Sequence, residues 1–247
     1  MIFHFHGTVL PIGYTLTVPP SEPIVWQIIG SDDTESYDIE IIDSAVHVTC
    51  DISNFKDTDI SFVRNKAFNL ARARVEIVAF RLGLGLGISL DRLVDENGIE
   101  TILLPKQDGV EDMFHPEFKE EVIFLFLASD ESILMAFNDL VSSLNFPYYA
   151  HVNCARVIDA LRHHMFPNFS EKDGWKAMQE ALVVSEASLI SLSHLSREGR
   201  HGKRVWKDPD LTGSSLYRTW KIMNRFLIYK HNGEKPLDPN TFQLIEI

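Results

Sequence analysis

Residues 61–82 read Ser-Phe-Val-Arg-Asn-Lys-Ala-Phe-Asn-Leu-Ala-Arg-Ala-Arg-Val-Glu-Ile-Val-Ala-Phe-Arg-Leu. Phe62, Ala67, Leu70, Ala71, Val75, Val78 and Leu82 fall near three- and four-residue spacings, with no Pro or Gly among them. The stretch is therefore a helix of about five to six turns. Gly83 ends it, as glycine commonly does just past a helix. On both sides the period is different. Residues 2–9, 14–18, 24–29, 37–42 and 45–52 are short runs rich in Val, Ile and aromatics, broken by Pro11, Gly13, Pro19-Pro20 and Gly30. They read as strands. Downstream, 86–94 and 99–104 flank Asp95-Glu96-Asn97-Gly98, a hairpin signal because Asn-Gly is a strong turn pair. A polar loop spans 105–116. Residues 122–127 fit a strand or the start of a helix equally well.

From Ser129 onward the pattern is helical. Ser129 or Asp130 caps a helix to about 143, and Pro147 breaks it. A second helix spans about 149–165, with Cys154, Ile158, Leu161 and Met165 on one stripe. Ser170 caps a third, which carries Trp175, Met178 and Leu182 and continues or bends through 187–195. Ser214 or Ser215 caps a last helix to about 230, and Asn232-Gly233 stops it. The tail 236–247 reads as a docked extension. The expected fold class is α+β. A β-rich domain with one long helix covers 1–128, and an all-helical bundle of four to five helices covers 129–247.

At 247 residues with 45% hydrophobic content, the chain can bury a substantial core. Cys50 and Cys154 fit no metal or disulfide spacing, which points to a reducing compartment and a cytoplasmic location. The N-terminus lacks a basic n-region and a long apolar run, so no signal peptide is expected. The longest strongly apolar run, 122–128, is far too short to span a bilayer.

Charge is unevenly placed. Residues 1–150 hold 24 Asp/Glu against 9 Lys/Arg, a net of −15; residues 151–247 hold 11 against 14, a net of +3. The acidic half should repel nucleic acid and anionic membranes, leaving the second half to attract a polyanion. Within it, residues 194–207 carry five Lys/Arg, two His and one Glu. Arg200-His201 sits between Gly199 and Gly202, with Lys203 and Arg204 beside it. Arg offers five fixed donors, His can carry a proton near neutral pH, and flanking glycines let backbone N–H groups approach a ligand. The alternative is a basic loop that balances the acidic half.

The other candidates each carry a plain structural reading. Gly83, Gly85 and Gly87 follow a helix and precede a strand, the reverse of a dinucleotide loop, and read as a tight passage with close backbone packing. His4 and His6 share one strand face and could ligate zinc, but no third ligand stands at motif spacing, so neither a metal nor a cofactor is expected. On the second helix, Arg162 and His164 fall at the edge of the apolar stripe, while Arg156 and His163 face solvent. The last helix is apolar nearly all round yet carries Arg218 and Arg225 on one stripe. Such guanidiniums need anionic partners, either a bound ligand or acids such as Asp159, Glu180 or Glu186. Arg200 and His201 are expected to come close to Arg162 or to the Arg218/Arg225 stripe, forming one electropositive pocket.

The C-terminal hundred or so residues resemble the HEPN group of helical domains, whose signature is an Arg followed by His after four to six residues. Here Arg225…His231 has five between and Arg156…His163 has six, whereas Arg197…His201 has three and departs from the pattern. The resemblance does not cover the β-rich half. It implies an RNA-binding or metal-independent RNA-cleaving protein of a defence or toxin system, often a homodimer. His231 or His201 would draw a proton from a 2′-hydroxyl, with Arg225 and Arg200 stabilising the phosphoryl oxygens and Arg162, Lys203, Arg204 and Arg218 binding the anion. Two readings stand together. One is this RNA-directed protein. The other is a non-enzymatic protein-interaction module, whose acidic half meets a protein partner and whose Arg/His cluster is structural.

Overall fold

The computed structural model describes residues 1–27, 32–55, 60–110, 120–200 and 209–247, with the backbone alone at 198–200 and 209. The chain is α+β and divides into two compact units, Met1–Leu104 and Pro105–Ile247. The division falls earlier than the expected 128/129. The ambiguous run 122–127 is part of a helix, α2 (Glu120–Ser129), which packs on α3 (Glu131–Asn145) and so belongs with the helices.

The first unit is a six-stranded antiparallel sheet. Its strands are β1 (Ile2–Leu10), β2 (Ile24–Gln27), β3 (Thr34–Ile42), β4 (Ala45–Ile52), β5 (Gly87–Val94) and β6 (Glu100–Ile102), in the order β2-β3-β4-β1-β5-β6. The first strand in sequence is thus near the centre, bonded to β4 and β5. The expected strand at 14–18 contributes only an isolated bridge, Val18 to Ile41. The strict alternation of β1, β3 and β4 puts Phe3, Phe5, Tyr37, Ile39, Ile41, Val46, Val48 and Cys50 on one buried face. Helix α1 (Ile60–Leu82) covers that face. Its buried stripe keeps the expected Ala67, Ala71 and Val75 but adds Val63, Phe68 and Ala79 in place of Phe62, Leu70, Val78 and Leu82. Three alanines on the contact line let the helix lie close to the sheet.

Three local devices set the sheet. The β1–β5 register shifts between His6 and Gly7, and a Cβ on Gly7 would lie 1.9 Å from the Ser89 carbonyl oxygen, so only glycine fits. Asp43 and Ser44, both at positive φ (50° and 68°), turn β3 into β4. The Glu35 carboxylate, buried in β3, accepts from Lys66 on α1 and from the Tyr37 hydroxyl, tying helix to sheet. Between α1 and β5, Gly83 takes φ +65°, but no atom approaches the would-be Cβ of Gly83, Gly85 or Gly87 within 4 Å. The close packing expected there is absent: only Gly83 has a conformational reason to be glycine.

The second unit contains six α-helices among the described residues, α2 making the total exceed the expected four to five. Asp130 caps α3 by accepting from Ile133 N–H, and Pro147–Tyr149 forms the 3-10 turn into α4 (Ala150–Met165). Ser170 caps α5 (Glu171–Leu182). After α6 (Glu186–Arg200), the last helix α7 runs from Pro209 to His231, longer than the cap at Ser214 or Ser215 suggested. Helix α4 is central, packed on α3, α6 and α7. The tail docks along the end of α5: Leu237 N–H donates to Ala181, Ile245 N–H to Val183, and Ser185 N–H to Ile245.

Candidate functional site

Arg225 lies on α7 and is 6% exposed. Helix α5 ends at Val183 in the left-handed conformation (φ 54°), leaving its last carbonyls without helical donors. The guanidinium fills that gap. Nη1 donates to Leu182 O at 2.9 Å and to Val183 O at 2.6 Å, and Nη2 donates to Gln243 O of the tail. Burial lowers its pKa to about 10. The partners are carbonyls and not the acids Asp159, Glu180 or Glu186, because α7 crosses the C-terminal end of α5, where unpaired acceptors cluster.

Arg218, seven residues earlier on the same helix, is 5% exposed and far less well served. Nε donates to Ser214 O at 3.3 Å and Nη2 to Ser191 Oγ at 3.5 Å, but Nη1 is buried without a partner. Burial lowers its pKa, and among the described residues Cys154 opposes the shift. Around it runs a polar seam between α4, α6 and α7. Thr212 Oγ1 meets His151 Nε2 at 3.2 Å, and the Ser215 and Thr219 hydroxyls donate to Leu211 and Ser215 carbonyls of their own helix.

Arg162 near the end of α4 is 6% exposed, more deeply placed than the stripe edge implied. Its guanidinium lies 4.9 Å from the Trp175 ring centroid, and Nη2 meets His163 Nε2 at 2.7 Å. Gly174 makes the room, since a Cβ there would stand 3.4 Å from Nη1. Arg162 therefore sits at the first turns of α5 and Arg225 at its end, eight residues or about 12 Å apart along the axis. Arg218 is about 10 Å from Arg225 along α7. Each of the three guanidiniums has its own set of partners, and the expected approach of Arg200 and His201 to Arg162 or to the Arg218/Arg225 stripe lies outside the described residues. Arg225 and His231 project about 120° apart around α7, and His231 is exposed. Arg156 is exposed and pairs with Asp139 at 3.1 Å. Arg200 closes α6, its side chain outside the described residues, and His201, Lys203 and Arg204 also lie outside them.

Two histidine contacts were not legible in the sequence. His164 Nδ1 meets the Asp130 carboxylate at 2.8 Å and stands edge-on to Phe226, pinning the end of α4 to the start of α3. Desolvation pushes the Asp130 carboxyl up, but the bonds from Ile133 and His164 outweigh it, and its pKa falls below the usual range. On the open sheet face, register places His6 opposite His47, with Nδ1 to Nδ1 at 2.6 Å. Two nitrogens sharing a tetrahedral zinc would stand about 3.3 Å apart. This is a hydrogen-bond distance instead. Among the described residues no group of three or more His, Cys, Asp or Glu could hold a metal ion, and no helix is long and apolar enough to cross a membrane.

Two family models match the chain: the Domain of unknown function (DUF8168) N-terminal domain over residues 3–104, and the C-terminal domain of the same family over 120–231. The chain belongs to the DUF8168 family. The family's two domains coincide with the sheet unit and the helical unit, so its division is structural. No curated protein and no solved structure matches the chain.

Proposed function

We propose that the chain is a non-enzymatic interaction protein whose acidic sheet unit receives a basic surface of a protein partner. The observation that carries this is the charge of the sheet. From Met1 to Phe55 the chain has no Lys or Arg. The face of the sheet opposite α1 presents Asp38, Glu40 and Asp51, all exposed, beside the imidazoles of His4, His6 and His47. Arg92 of β5, opposite His6 on the same face, is engaged with Glu100 at 3.5 Å, and a face on which acids predominate attracts basic surfaces and repels polyanions. The helical unit supports the same reading. Arg225 spends its donors on three carbonyls, and Arg162 stacks on Trp175, so each has a structural task.

An oligolysine peptide, labelled and titrated by fluorescence anisotropy, tests this. Binding should weaken about tenfold or more in Asp38→Lys/Glu40→Lys and should fall between low and physiological salt. A labelled RNA oligomer run in parallel is the arm for the HEPN-like alternative. RNA binding or cleavage by the parent chain, abolished in His201→Ala, would replace the interaction reading with the RNA-directed one. Peptide binding indifferent to the double substitution would also overturn it.

A further inference from the structure

We propose that the helical unit binds a small oxyanion, a phosphate or a carboxylate, between Arg218 on α7 and Ser188 and Ser191 on α6. The inference goes beyond the protein-interaction reading and stands without it. Its basis is a pair of buried polar groups that the chain itself leaves unsatisfied. Arg218 Nη1 has no hydrogen-bond partner, and neither has Ser188 Oγ, which is 0% exposed. Buried polar groups are almost always paired, and a buried guanidinium without an anion is strongly disfavoured. Arg225 shows the other solution, an equally buried guanidinium supplied with three carbonyls.

The two unpaired groups are linked through Ser191, which Arg218 touches. Ser188 and Ser191 are one turn apart on α6, so their side chains stand about 5–6 Å from each other. Ser191 Oγ lies 3.5 Å from Arg218 Nη2, a long contact that leaves both groups able to donate to one oxygen acceptor beside them. A phosphate or carboxylate oxygen at about 2.8 Å from each donor would close such a fork. The charge is also uncompensated. Among the described residues no carboxylate acts on Arg218; the group that opposes its burial is Cys154, whose thiol burial pushes up to about 11 and so leaves neutral at pH 7. The hydroxyls of Ser215 and Thr219 are committed to their own helix, which leaves the two α6 serines as the hydroxyl donors.

Thermal melts of the full chain in inorganic phosphate, and separately in acetate, at constant ionic strength test the proposal. One of the two should give a saturating rise in Tm of about 2–4 °C. Phosphate alone assigns a phosphoryl ligand, and acetate alone assigns a carboxylate. The rise should vanish in Arg218→Met and fall to less than half in Ser188→Ala. Ser188→Ala removes only an unpaired hydroxyl and so folds at least as well as the parent, which keeps the test decisive if Arg218→Met does not fold. No saturating response to either anion, or equal responses in the parent and Ser188→Ala, would overturn the proposal.

Discussion

Replacing Arg225 with Met measures the clamp that holds α5, α7 and the tail together. Methionine fills much of the same volume without donors. Val183 O keeps a partner, the Ile245 N–H, but Leu182 O and Gln243 O lose the guanidinium. Each buried acceptor left unpaired costs about 1–3 kcal/mol. The guanidinium also lies 5.7 Å from the Phe242 ring centroid, a contact of about 0.5–1 kcal/mol. Against this, the substitution recovers the desolvation that lowers the Arg225 pKa to about 10, on the order of 3 kcal/mol. The balance runs from about 0 to about 4 kcal/mol and centres on a net destabilisation of about 2 kcal/mol. Urea unfolding followed by circular dichroism should show a lower midpoint with an unchanged slope. Hydrogen exchange should accelerate first at Leu237 and Ile245, whose N–H groups bond the end of α5. Arg225→Lys should rescue little, because one ammonium cannot meet carbonyls on two segments in a planar fork. A variant as stable as the parent or more so would refute this account and restore an ion pair as the partner, since a buried pair is often replaceable by apolar residues without loss.

Gly7→Ala should destabilise the sheet unit by about 2–4 kcal/mol, because the new methyl meets the Ser89 backbone and not a movable side chain. An alanine variant with the parent's urea midpoint would show that the β1–β5 bulge relaxes freely. The His6–His47 contact should make the same unit sensitive to mild acid. Desolvation first, then the charges of His47, Arg92 and His4, lower the His6 pKa below 6.5, with Glu100 opposing. The unfolded chain then binds the proton more readily than the folded one. Stability is therefore fully present above about pH 6.5 and is lost as pH falls through the folded pKa. Urea midpoints measured between about pH 5 and pH 7.5 should rise with pH in the parent and flatten in His6→Gln; an identical slope in both would remove the pair as its source.

The sequence by itself determined what depends on neighbours along the chain. Period-two alternation placed β1, β3 and β4, the helical period placed α1 and α4, and cap chemistry placed Asp130 and Ser170, because side-chain direction and terminal N–H groups are settled within a turn or two. Direction was legible only where one face was distinct. In α7, apolar nearly all round, spacing says the helix is buried but not against what, and in α2 it does not separate helix from strand. Only the tertiary structure decided that α2 belongs with the helices, that His6 meets His47, and that Arg225 reaches Leu182 and Gln243 while Arg218 reaches no carboxylate among the described residues. Those contacts join residues 18 to 43 positions apart, and an arginine far from its partner in sequence offers five donors without saying whose oxygen will receive them. The packing angle between two helices makes that choice, and here it gave one buried guanidinium three carbonyls and left another with an unfilled donor.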